Sequence, residues 1–246
     1  MSDRRPAPLR RRLLAGAGAW PLAALAQDGD APRERLLREI DLQLRASAAQ
    51  TGVAGLSEPV RSALRAVPRE RFVPAALRDH AFDDRPLPIG EGQTISQPTV
   101  VALMTELLAA QPAHRLLEVG PGSGYQAAVL AECVARVYSI EIVPALGARA
   151  AALLRELGYR NIELKIGDGY RGWPEAAPFD GIVVTAAPDH VPQPLIEQLK
   201  PGGRLVIPVG PQGAIQHLLL IRKDADGRAV TRRTIDVRFV PLTREW

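Results

Sequence analysis

From Arg115 onward, short apolar runs alternate with stretches of helical character. The runs fall at 115–119, 134–140, 161–165, 179–185 and 203–208. Most of these runs are apolar along most of their length and fit strands buried on both faces. Helix-compatible stretches lie at 123–132, 144–157 and 192–199, with Gly158 placed to end the second and Lys200-Pro201-Gly202-Gly203 closing the third. Strand–helix alternation of this kind predicts βαβ units, and therefore a parallel sheet covered on both sides. Two later runs, 215–222 and 231–239, flank the turn-like Asp224-Ala225-Asp226-Gly227 and predict an antiparallel hairpin at the sheet edge.

Ahead of Arg115 the pattern is helical. Leu36, Leu37, Ile40, Leu42 and Leu44 predict an amphipathic helix over 35–49. A second helix is predicted over 58–66, opened by Ser57 as N-cap, and a third over 99–109. Prolines punctuate 67–74 and 83–90, which read as loops, and residues 27–34 read as a polar linker. The expectation is one doubly wound α/β domain, 35–246, with a mostly parallel sheet and an antiparallel C-terminal hairpin. Within it, 35–110 forms a helical and loop part and 111–246 the sheet. A chain of 246 residues is long enough for one such core and its full set of covering helices.

Charge changes the picture less than the pI near 9.6 suggests. Residues 1–26 hold five arginines and one aspartate; the remainder carries 26 basic and 26 acidic residues. No basic face is implied, which argues against a nucleic-acid partner. The leader itself has signal-peptide form: Arg10-Arg11-Arg12, a weakly apolar run of about fourteen residues, then Ala24-Leu25-Ala26. Its arginines suit twin-arginine export to the periplasm, and the run is too short for a permanent membrane span. Cys133 is the only cysteine, so neither an internal disulfide nor a cysteine-based metal cluster can form, and no metal site is expected. The histidines at 80, 114, 190 and 217 are far apart and have no Gly-x-Ser-x-Gly turn to serve.

Candidate chemistry gathers where the predicted strands end. The first runs into Glu118-Val119-Gly120-Pro121-Gly122-Ser123-Gly124, a glycine-rich turn ahead of a helix. Such a turn lets backbone lie directly against a ligand, with helix-start amides facing it. Its glycine spacing is not the Gly-x-Gly-x-x-Gly of nicotinamide-binding proteins. Glu141 ends the next run and could accept hydrogen bonds from both hydroxyls of a ribose. Asp168, between Gly167 and Gly169, could reach an adenine amino group. This set resembles the cofactor half of an S-adenosylmethionine-dependent methyltransferase of Rossmann-like type. Thr185-Ala186-Ala187-Pro188 stands where amide or base methylases carry an Asn/Asp-Pro-Pro-Tyr tetrad.

Further segments resemble the protein-L-isoaspartate O-methyltransferase family across about residues 57–243. They are Leu87 to Pro98, Val119 to Ala128, Phe179 to Pro188, Gly202 to Gly210 and Val237 to Thr243. The resemblance implies methylation of the free α-carboxylate of L-isoaspartyl residues in damaged proteins, with collapse of the ester to a succinimide. It implies S-adenosylmethionine as cofactor, damaged proteins or peptides as partners, a monomer, no stable membrane association and a cytoplasmic location. It gives Ser96 the catalytic position, although Ser96 or Thr94 could instead cap the helix that follows. Cofactor contacts are implied for Thr94, Ile95, Gln97, Glu118, Gly120, Gly122, Gly124, Glu141, Asp168, Gly169 and Thr243, and substrate contacts for Ile89, Gln93, Pro98 and Ala187. A different carboxylate or hydroxyl acceptor, or a non-catalytic module on the same fold, are the alternatives.

Overall fold

The computed structural model describes residues 24–244, with side chains from residue 31 onward. Most of the leader therefore lies outside the described residues. Seven strands form the main sheet in the order β5-β4-β3-β6-β7-β8-β9. They are β3 (Arg115–Val119), β4 (Arg136–Glu141), β5 (Ile162–Ile166), β6 (Phe179–Val184), β7 (Leu199–Val209), β8 (Gln216–Lys223) and β9 (Ala229–Val237). β3 pairs in parallel with β4 and β6, and the parallel part extends to β5 and β7. β8 and β9 add antiparallel pairings, so the predicted edge hairpin is present. Chain order reverses at β3, between β4 on one side and β6 on the other.

Side chains on alternating residues feed two cores, as the pleat requires. Along β3, Leu116 enters the core beneath the N-terminal helices, while Leu117 and Val119 enter the opposite one with Ile182, Val184 and Leu205. The first core is covered by α1 (Ala24–Ala46), α3 (Glu58–Ala66), α4 (Pro98–Leu108) and α5 (Tyr125–Ala131), with the four-residue α2 (Ala48–Thr51) after α1. α6 (Pro144–Glu156) connects β4 to β5, and α7 (Gln193–Glu197) connects β6 to β7.

Four local expectations need correction. The linker expected over 27–34 lies inside α1, Pro32 included. The helix is held there because Arg33 stacks over the Phe82 ring and meets Glu70, while Glu34 pairs with Arg65. Leu42, counted in the apolar face of this helix, is 67% exposed. Residues 199–203, read as the end of a helix, begin β7 instead: Phe179 pairs with Leu199 across a register shift, and Lys200 binds Asp180 at 2.7 Å. Leu87–Gly90, read as loop, and Gln93–Ile95, to which no element was assigned, are a hairpin, β1 and β2. Glu91 and Gly92 form its turn with φ of 53° and 68°. Both lie in the left-handed region that a tight two-residue hairpin turn needs.

Candidate active site

The glycine turn lies at the reversal point, where open α/β sheets bind ligands. Gly120 and Gly122 have φ of 84° and 53°. A Cβ on Gly120 would stand 3.3 Å from Thr185 Oγ1, and one on Gly122 would stand 3.3 Å from Ile89. Positive φ and scarce space together require glycine. Glu141, at the end of β4, is buried and organises the turn: Gly122 N donates to Oε2 and Val143 N to Oε1, both at 2.9 Å. A carboxylate offers about four acceptor positions, so these bonds leave capacity for ribose hydroxyls. Thr185 Oγ1 reaches back to the Val119 carbonyl at 3.0 Å and to that of Gly120, fastening β6 to the start of the turn.

A cleft opens against this turn. Gln93, Thr94, Gly120, Gly122, Glu141, Gly169 and Thr243 line it, all of them predicted site residues. Thr185 and Val240 line it as well and were not predicted. The C-terminal segment is strapped across it. Ala187 N donates to the Val240 carbonyl at 2.8 Å, and Leu242 N donates to the Ala187 carbonyl at 2.9 Å. Beyond the cleft Arg244 stacks on Tyr170.

A second cleft of about 520 Å³ adjoins the first. Thr94, Thr185 and Val240 line both. Ser96, Gln97 and Arg238 belong to the second. The hydroxyl of Ser96 makes no hydrogen bond to any described residue. Helix capping does not use it, because Asp84 caps α4 from outside the local sequence. One Asp84 oxygen accepts from Thr99 N at 2.8 Å, and the other accepts from Thr99 Oγ1 at 2.8 Å and Gln97 Nε2 at 2.9 Å. Arg238 is exposed and pairs with no described residue, whereas Asp236, the carboxylate of this cleft, is already met by His217 and Arg233.

Seven predicted site residues lie outside both clefts, each for a packing reason. Ile95 is in the core with Leu87. Ile89 lies over Gly122 and faces a separate cavity beside Arg149. Pro98 is buried at the first position of α4, and Ala187 holds the C-terminal strap. Gly124 makes room for Ala150 and Leu154 of α6. Asp168 turns back on its own backbone, accepting from Tyr170 N at 2.9 Å. Glu118 is buried beneath the turn and accepts a 2.6 Å bond from Ser139 Oγ. Burial pushes its carboxyl up to about 8, helped by the neighbouring Glu141 charge and opposed by Ser139. Cys133 is a buried hydrophobe, its thiol raised to about 11 by burial. His80, His190 and His217 each face a surface aspartate.

Sheet order, glycine cradle and neighbouring acid are those of S-adenosylmethionine-dependent methyltransferases, and this protein is one. The donor set fits that cofactor: an acid at the end of β4, beside glycines that leave no Cβ in the way. Among known proteins, the profile of the Protein-L-isoaspartate(D-aspartate) O-methyltransferase family matches residues 43–246. Protein-L-isoaspartate O-methyltransferase 2 of Syntrophobacter fumaroxidans is 52% identical over 231 residues, covering 94% of each chain. Protein-L-isoaspartate O-methyltransferase 1 of Cupriavidus necator is 52% identical over 240 residues, covering 96% of this chain and 93% of the relative. A solved protein-L-isoaspartate O-methyltransferase superposes with a TM-score of 0.72 at 30% identity, over 85% of this chain and 65% of that one. A Plasmodium falciparum protein in complex with S-adenosyl-L-homocysteine shares the fold, with a TM-score of 0.70 at 24% identity over 87% and 99% of the chains. The chain belongs to the protein-L-isoaspartate(D-aspartate) O-methyltransferase family.

Proposed function

We propose that the protein methylates the free α-carboxylate of L-isoaspartyl residues in damaged proteins and so starts their repair through a succinimide. The observation that carries this is the wall shared by the two clefts. S-adenosylmethionine, when bound, supplies an electrophilic methyl carbon on a sulfonium sulfur. Gly120, Gly122, Glu141, Gly169 and Thr243 would hold it on one side of Thr94 and Thr185. Ser96 and Arg238 receive the acceptor on the other side.

An aliphatic carboxylate is ionised at neutral pH, so the protein needs no strong base, and none of the described residues lining the second cleft is one. Its task is to hold one carboxylate oxygen in line at near-attack distance, with water kept out. A Ser96 hydroxyl with no internal partner can donate to the carboxylate oxygen that does not react and fix its orientation. Arg238 adds an unpaired positive charge where an anionic acceptor must dock. A second cleft of about 520 Å³ suits a stretch of peptide better than a single amino acid. We place the enzyme in the cytoplasm, where its cofactor is made, as a monomer without stable membrane association; no described helix is long and apolar enough to cross a membrane.

The test is methyl transfer from labelled S-adenosylmethionine to paired peptides identical except for isoaspartate or aspartate at one position. Base-labile label on the isoaspartyl peptide alone is the expected result. Label on neither peptide, with cofactor binding intact by calorimetry, would mean that the acceptor is something else.

A further inference from the structure

Among the described residues, Arg69 is the only arginine in the core, 1% exposed, and no carboxylate pairs with it. Removing a guanidinium from water is costly unless its donors are used. Nε donates to the Ala81 carbonyl at 2.9 Å, and one terminal nitrogen, Nη2, donates to the carbonyl of Ser96 at 2.8 Å. The guanidinium carbon lies 4.7 Å from the centre of the Tyr125 ring, and Nη1 has no hydrogen-bond partner. Arg69 therefore grips, from beneath, the backbone of the residue whose hydroxyl lies in the second cleft.

Asp84 grips the same segment at different atoms. Its carboxylate binds the side chain of Gln97 and both the backbone and side chain of Thr99, and it also accepts from Gln43 Nε2 at 2.8 Å. Ser96 is thus held by its own carbonyl, and Gln97 and Thr99 just beyond it are held by their donors. Its own side chain is not part of either grip. Local sequence would have a serine ahead of a helix turn inward and cap it. Here the cap position is Gln97, one residue on, and the Thr99 amide that a capping side chain would take is met by Asp84, fifteen positions earlier, so the serine hydroxyl is left to the cleft.

We propose that Asp84 and Arg69 form a two-point clamp whose function is to keep the Ser96 hydroxyl uncapped and aimed at the acceptor carboxylate. Both are positioning residues: neither lines the cofactor cleft or the acceptor cleft. The inference rests on the proposed function, since it takes Ser96 as the group that orients the acceptor.

A double-mutant cycle in the full chain tests it, with wild type, Asp84→Asn, Ser96→Ala and the double variant. Three readouts are taken: kcat and KM for an isoaspartyl peptide, calorimetric affinity for S-adenosyl-L-homocysteine, and the thermal midpoint. If Asp84 acts through Ser96, Asp84→Asn lowers kcat by about tenfold when Ser96 is present and by less than about twofold when it is alanine. Affinity for S-adenosyl-L-homocysteine stays within about twofold in all four proteins. Arg69→Lys, which keeps a donor for the Ser96 carbonyl, is expected to retain more kcat than Arg69→Gln; should the glutamine variant unfold, the Asp84 cycle decides. An equal fold-loss in both backgrounds, or a parallel loss of S-adenosyl-L-homocysteine affinity, would overturn the clamp while leaving the proposed function standing. A wild type that binds S-adenosyl-L-homocysteine but leaves the peptide unmethylated overturns both.

Discussion

Two glutamates 23 residues apart end neighbouring strands, and their surroundings give them different tasks. Glu141 meets two backbone amides and faces the cleft. Glu118 lies one layer below, with Oε1 lacking any hydrogen-bond partner among the described residues. Its carboxyl, raised from 4.5 to about 8 by burial, holds a proton in the folded protein that the unfolded chain has released. The folded state therefore binds more protons over that interval, and stability falls as pH rises from about 5 to about 8, by at most about 1.4 kcal/mol per pH unit. Urea unfolding of the ligand-free protein across this range should show the decline, and Glu118→Gln should flatten it. An unchanged slope in that variant would assign the pH dependence to other groups. Sequence could rank both acids as site residues because each sits at a strand end. It could not separate them, since burial depth depends on which face of β3 and β4 meets the second core.

At the scale of elements, what was legible tracks how continuous the apolar runs are. The runs behind β3, β4 and β6 are mostly apolar while β5 alternates apolar and charged residues, and all four match the sequence reading to within about two residues at each end. The β1–β2 hairpin was missed because Pro88, Gly90 and Gly92 read as loop, while its register is set by the burial of Leu87, Ile89 and Ile95 against the body. Thr185 was visible at the end of β6, but nothing local marked it as the wall between two clefts. Gly169 is a clearer case of element-level constraint. Its φ is not unusual, yet a Cβ there would approach Val119 Cγ1 to 2.3 Å. β5 can therefore bring its loop against the end of β3 only if this residue is bare. Gly169→Ala is expected to destabilise the fold by about 1–3 kcal/mol through overpacking, and to weaken S-adenosyl-L-homocysteine binding because the displaced loop lines the cofactor cleft. Thermal unfolding and calorimetry on the same sample check both effects. A variant with normal stability and normal affinity would show that the loop yields at no cost.

Across the whole molecule, charge balance sets how an anionic acceptor is met. Beyond residue 26 the chain carries as many acidic as basic residues, so the net charge of this part does not draw an anionic substrate in. Local contacts then carry recognition, and in the acceptor cleft Arg238 is the cation that pairs with no described residue. Nothing in the sequence distinguished it from the other arginines, because its significance comes from the contacts around it: Asp236, two residues away, already pairs with Arg233 and meets the His217 ring at 2.9 Å. An exposed pair of this kind contributes up to about 1 kcal/mol, or roughly fivefold in KM. Arg238→Gln should therefore raise KM for an isoaspartyl peptide about two- to fivefold while leaving kcat and S-adenosyl-L-homocysteine affinity nearly unchanged. Salt gives the sharper discrimination. Screening between about 0.05 and 0.5 M should raise the wild-type KM and leave that of the variant almost level. Equal salt dependence in the two proteins would mean that the acceptor's charge is met elsewhere, and the steady-state comparison at two ionic strengths decides between these outcomes.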